Sequence, residues 1–277
     1  MSTQQLTTRS NLQQVSVDDR KDQYTLWQTL GIWLAGGAPM WLLGWVAYPA
    51  LSADLPPMQA GLLRIKLLTV GLIWEFVLAM MIIYREEGNL RWTTVSRRLR
   101  LNHPISSTTG QTNKVLWLWV IPLSALVAFI GMALRPMLVD FMKTVFPFLA
   151  VFINNFESKA MYTPELRAQW VGAWGWLGLI FVQNLFNSML GEEFLFRGVL
   201  LPKMQGVFGK WDWVANGVVF GFYHLHQPWG IPSSILTGLI YAFSAKHYRT
   251  TWFSIILHSG QAIFMLFLIL GLVLGLA

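Results

Sequence analysis

Cysteine is absent from the 277 residues, which removes disulfides, thiolate-ligated zinc and lipidated cysteines without identifying a compartment. Charge is scarce. Asp, Glu, Lys and Arg make up 12% of the chain, where a soluble domain carries about 25%. The first 24 residues lack an apolar signal-peptide core and read as a polar N-terminal tail. No repeat of solenoid period and no low-complexity segment breaks the remainder. What is present is apolar: 55% of residues are hydrophobic, and the mean hydropathy is +0.48. Fifteen Trp suit the membrane–water interface. The net charge of +7 then reflects basic loops of a membrane protein rather than nucleic-acid binding.

A spanning helix needs about 20 mostly apolar residues. Segments 25–50, 67–84, 115–134, 170–190 and 251–277 meet that need. The stretch 214–245 has no Asp, Glu, Lys or Arg and is too long for one span; Pro228, Gly230 and Pro232 divide it in two. The expected fold is therefore an all-α polytopic transmembrane bundle of about seven spans. Segment 141–153, with Lys143 and Pro147, reads as an interfacial or re-entrant helix, with an eighth crossing as the alternative.

The loop 85–114 holds six basic residues and is expected to be cytoplasmic. Seven crossings put the N-terminal tail, residues 191–212 and "KHYR" on that same side, with three, three and two further Lys or Arg. The C-terminus then lies outside, in what reads as a bacterial plasma membrane. Three regions result: the tail 1–24, N-terminal membrane helices over 25–160, and a helical core over 161–277.

Ionisable residues inside spans are functional candidates. "GEEFLFRG" (191–198) supplies Glu192, Glu193 and Arg197; His224, His226 and His258 follow on later helices. Glu193 and Arg197 are four apart and pair on one helix face. Glu192 lies about 100° round the helix, free of that partner and suited to general-base work in drier surroundings. Phe220 and His224 share a face, His226 reads as a boundary residue beside Pro228, and His258 needs a partner from another helix. Glu75, alone in its span, reads as a structural hydrogen-bonding group.

The spacing EExxxR, then FxxxH, then an intramembrane His, in this order over residues 170–270, resembles the CAAX prenyl protease and bacteriocin-processing (CPBP or Abi) family. The resemblance implies an intramembrane endopeptidase acting on a peptide or protein substrate that is membrane-associated or lipidated. It implies that Glu192, assisted by His224, activates water, that His258 stabilises the oxyanion, and that Glu193 and Arg197 hold the helix end. Phe220 belongs to the second motif. The family's third motif continues to Asn or Asp four residues after the histidine, where this chain has Ala262. Gln261 and Asn216 are the candidate substitutes for that group. No cofactor is favoured. Zinc held by Glu192, His224 and His258 is the alternative, although HExxH is absent and only Glu193 would remain as base. Two further readings stay open: a non-catalytic scaffold or bacteriocin-immunity protein of the same fold, and a proton-coupled transporter using Glu75, Glu192 and His258.

Overall fold

The computed structural model describes residues 23–149 and 164–276, so nearly all of the tail and the last four residues of segment 141–153 lie outside the described residues. Among the described residues the chain is helical without strands; one isolated bridge, Ile105 to Thr112, closes a loop turn. Four helices are long and apolar enough to cross a membrane: α1 (Leu26–Ser52), α2 (Pro57–Glu87), α4 (Lys114–Val145) and α10 (Thr251–Val273). The short α3 (Trp92–Arg98) and α5 (Pro164–Trp170) lie between spans. The rest of the bundle is α6 (Trp174–Leu185), α7 (Phe194–Leu200), α8 (Asp212–Tyr223) and α9 (Ile231–His247).

Local chemistry explains these boundaries. Thr25 caps α1 in a reciprocal capping box, accepting from Gln28 N at 3.2 Å while Gln28 Oε1 accepts from Thr25 N at 2.8 Å. Pro57 opens α2 and Gly88, at φ +72°, ends it in the left-handed conformation that costs glycine little. The divided stretch 214–245 breaks earlier than Pro228: α8 ends at Tyr223, and 3₁₀ turns lead to α9. At 1.5 Å per residue α8 is only about 18 Å long, and the 3₁₀ turns continue the chain beyond it. The structure also corrects the separate helix expected over 141–153. Residues 141–145 are the last turns of α4, which continues through a π-helical turn at Ile130–Leu134 and stops before Pro147.

α7 is the axis of the bundle, with every one of its residues buried. Apolar burial against lipid-like surroundings gives little driving force, so close packing and interhelical hydrogen bonds hold such bundles. Several tryptophans serve that purpose instead of an interfacial one. The indoles of Trp33, Trp41 and Trp45 donate to Val219 O, Tyr223 O and Leu225 O at 2.9, 2.8 and 2.7 Å. Because both sets of positions ascend together, α1 and α8 run parallel. Where α8 crosses α9, a Cβ on Gly217 would sit 2.7 Å from Leu239 N, and one on Gly238 would sit 3.0 Å from Gly217 O. Only glycine permits that approach.

The loops gather at two ends. At one, Glu86 takes hydrogen bonds or ion pairs from Tyr24 Oη, from Arg98 Nε at 2.8 Å and from Lys203 Nζ at 3.2 Å. Burial, and secondly the Glu86 carboxylate, push the Tyr24 phenol up, so it remains a donor at neutral pH. Arg98 also donates to Gly198 O and Val199 O at 2.9 and 3.2 Å, gripping α7. Thr251 bonds to Arg100 O and Leu99 O, and Lys246 pairs with Asp212, at this same end. At the other end Met58, Leu62, Trp170 and Leu272 form a separate apolar cluster. Arg98→Ala leaves Glu86 and two α7 carbonyls without their shared donor, and a loss of about 3 kcal/mol is expected. Denaturation of the purified protein in detergent, beside Arg97→Ala at the neighbouring exposed pair, measures it; equal stability of the two variants would contradict the assigned grip.

Candidate active site

The site is built around a bend. α6 runs through a π-helical turn, Phe186–Leu190, and the chain turns at Gly191 before Glu192, Glu193 and α7. A Cβ at Gly191 would lie 2.7 Å from both Leu72 O and Phe186 O, so a larger residue would push α2 away. Such π-helical turns recur at functional sites because they change which side chains face inward.

Glu193 and Arg197 form the expected pair, fully buried rather than at a water boundary. Arg197 Nη1 donates to Glu193 Oε1 at 3.2 Å, and Nη2 donates to Gly238 O at 3.2 Å. The guanidinium lies 4.0 Å from the centre of the Phe220 ring, a cation–π contact that replaces part of its lost hydration. His258 reaches the same carboxylate from α10, with Nδ1 2.9 Å from Glu193 Oε1. Its ring stacks on Tyr241 at 4.9 Å between centres. Its Nε2 is 3.8 Å from Glu192 Oε2 and 3.4 Å from Asn187 Nδ2. One imidazole therefore stands between the two adjacent carboxylates.

His224 sits where α8 gives way to a 3₁₀ turn, its Nδ1 2.9 Å from Phe220 O. A carbonyl can only accept, so Nδ1 carries the proton and Nε2 is left to accept. Its ring meets Phe220 and Tyr223 edge-on and stacks on His226 at 5.6 Å. A cavity of about 130 Å³ opens beside these groups, lined by His224, His258, Phe220, Tyr241, Gln261 and Arg135. That is room for several water molecules and a peptide carbonyl.

Glu192 does not line this cavity. It is buried behind His258, with Oε2 unbonded, and its surroundings include Tyr223 and Glu75 as well as Glu193 and Arg197. The assistance expected from His224 has no direct contact here; the imidazole nearest Glu192 Oε2 is that of His258. Gln261 lies in the lining, packed against Gly131 in the α4 π-helical turn. Asn216 does not, because it is occupied elsewhere: Nδ2 donates to Phe196 O at 2.9 Å and contacts Met204 Sδ at 3.5 Å. His226 lies in the 3₁₀ turn at the break before Pro228, and it is buried against Gly44 of α1. Asn187, Tyr223 and Tyr241 were not singled out from sequence. Asn187 offered a signal as an amide within an uncharged run, five residues before Glu192. Asn184 also donates to Ala262 O at 3.4 Å. Among the described residues, no three His, Asp or Glu side chains converge so as to hold a metal ion.

The comparisons agree with the motifs. Residues 173–264 match the family model described as type II CAAX prenyl endopeptidase Rce1-like, a stretch containing all eight motif and support residues. The match supports membership of the CAAX protease and CPBP class. No curated protein and no solved structure matches the chain. The match, over about a third of the chain, and the four long apolar helices support an integral-membrane protein similar to that protease family.

Removing Arg197 strands a buried carboxylate, so Arg197→Ala is expected to cost about 3–5 kcal/mol. The double change Glu193→Gln with Arg197→Met, which removes both charges, is expected to recover much of that loss. Thermal unfolding of both proteins in the same detergent decides it; a double variant no more stable than Arg197→Ala would refute the pairing energetics.

Proposed function

We propose that the protein is an intramembrane endopeptidase that hydrolyses a peptide bond with a water activated by Glu192, with the two intramembrane histidines as partners. The observation that carries this reading is the placement of His258 between the adjacent carboxylates, with its ring open to the cavity. In this reading water enters the cavity and is held by His224 Nε2. Glu192 takes its proton as the hydroxide adds to the scissile carbonyl, and later gives that proton to the leaving amine. His258 donates to the developing oxyanion, with the Gln261 amide as a second donor. Glu193 and Arg197 neither give nor take a proton in the reaction; they hold the imidazole in place. The reading requires that substrate binding bring Glu192, now behind His258, to the water.

The substrate is a peptide or protein, and a membrane-associated or lipidated one suits a site within the bundle. We favour a metal-free site. HExxH is absent, and Glu193, the carboxylate that would remain as base if Glu192 were a ligand, is already paired with Arg197. A peptide-binding protein of the same fold without hydrolysis is the second reading, favoured by Ala262 at the position of the family's amide.

Purified protein in nanodiscs is expected to cleave members of a peptide library, and Glu192→Gln to lower kcat by about 10²–10⁴-fold with unchanged stability. Chelators are expected to leave turnover intact. Cleavage that survives Glu192→Gln removes that residue from the chemistry, and loss on chelation with recovery on added zinc removes the metal-free mechanism.

The proposed orientation has seven crossings, with the Glu86, Arg98 and Lys203 end cytoplasmic and the C-terminus outside. Basic residues concentrate at that end. Because the chain has no native Cys, cysteines at Ser107 and Gln205 are expected to label from the cytoplasmic side and one at Ala53 from outside. Labelling of all three from one side would break the topology.

A further inference from the structure

Glu75 has no part in the chemistry above, yet it is completely buried and neither of its carboxyl oxygens has a hydrogen-bond partner. It lies on α2 where that helix passes the Gly191 bend. A Cβ on Gly191 would approach Glu75 Oε2 to 3.4 Å, so the glycine lets the two segments close on each other. The Tyr223 hydroxyl faces both Glu75 and Glu192, and it too is buried without a partner, as is Glu192 Oε2. These orphaned polar atoms, from three separate segments, turn toward one another. Unbonded buried oxygens are costly, and a cluster of them points to a hydrogen-bonded chain closed directly or through one enclosed water.

The proton in such a chain can be placed. Two carboxylates sharing a buried site cannot both be charged. Glu192 has a cation beside it, Arg197, and its Oε2 lies 3.8 Å from the His258 ring. Glu75 has none: the α1 and α6 stretches packed on α2 carry no charged residue, the bend presents Glu192, and α8 presents Tyr223. Glu193, the other carboxylate at the bend, is turned to Arg197 and His258.

We propose that Glu75 is the positioning partner of Glu192: as a neutral acid it donates to Tyr223, whose hydroxyl donates to Glu192 and holds that carboxylate ionised and oriented. The role of Glu192 rests on the peptidase reading; the protonation of Glu75 does not.

Infrared spectra of the full chain in nanodiscs at neutral pH test the protonation without reference to activity. The wild type is expected to show the carbonyl band of a protonated carboxylic acid, absent in Glu75→Gln, retained in Glu192→Gln, and shifted in Tyr223→Phe through loss of its acceptor. In cleavage assays Glu75→Gln, whose amide still donates, is expected to keep most of kcat. Glu75→Leu and Tyr223→Phe are expected to lose about tenfold in kcat, the worth of one buried hydrogen bond, with KM unchanged. No acid band in the wild type, a band that survives Glu75→Gln, or one that does not move in Tyr223→Phe overturns the proposal. So does equal loss of kcat in Glu75→Gln and Glu75→Leu. A wild type that shows the band as described but cleaves nothing would count against the peptidase reading and leave Glu75 as the acid of the pair.

Discussion

A guanidinium buried in a helical bundle must be held by fixed partners, and much of this structure follows from how Arg197 is held. Glu193 supplies the counter-charge, Gly238 a carbonyl and Phe220 a ring face. Each requirement reaches into another helix. The Gly238 carbonyl is within reach because Gly217 and Gly238 let α8 and α9 approach closely. Phe220 is in place because α8 is tied to α1 by the indole of Trp33 one residue away. A change at any of these contacts leaves a charge without its partner, which inside a bundle costs far more than a lost surface pair.

The same constraint orients the histidines. Glu193 shares one oxygen between Arg197 and His258, which fixes the ring that faces the cavity. Phe220 contributes its ring to Arg197 and its carbonyl to His224. One short stretch of α8 thus couples the charge pair to the second imidazole. Arg98 extends the connection outward: it joins the basic loop, through Glu86, to the carbonyls of α7, so the end of the bundle and the site share a rigid element.

Glu192 and Glu193 are neighbours in sequence with opposite surroundings. Glu193 turns to fixed cations. Glu192 turns to a tyrosine and a second carboxyl brought by α2. The bend at Gly191 and the π-helical turns on either side of it produce this separation, since they set the rotation of each side chain about the helix axis. Two adjacent carboxylates can then meet different partners and do different work.

The sequence alone was enough for an all-helical membrane fold, for the four longest apolar helices and for marking Glu192, Glu193, Arg197, His224 and His258 as candidates. An ionisable group in an apolar run is costly, so its presence is conspicuous whatever the helices do. Neutral groups carry no such mark, and Asn187, Tyr223 and Tyr241 passed unnoticed among other polar and aromatic residues. Pairings across helices were also beyond a linear reading. Asn216 and His224 share a face on an unbroken helix, but α8 ends at Tyr223 and the 3₁₀ turn alters the phase, so they part. Glu75 looked isolated because its partners lie more than 100 residues away on segments whose rotation is set by a glycine bend. Residue chemistry is local and can be read along the chain. Which carboxylate meets which base depends on helix rotation and approach, and only tertiary packing decides those.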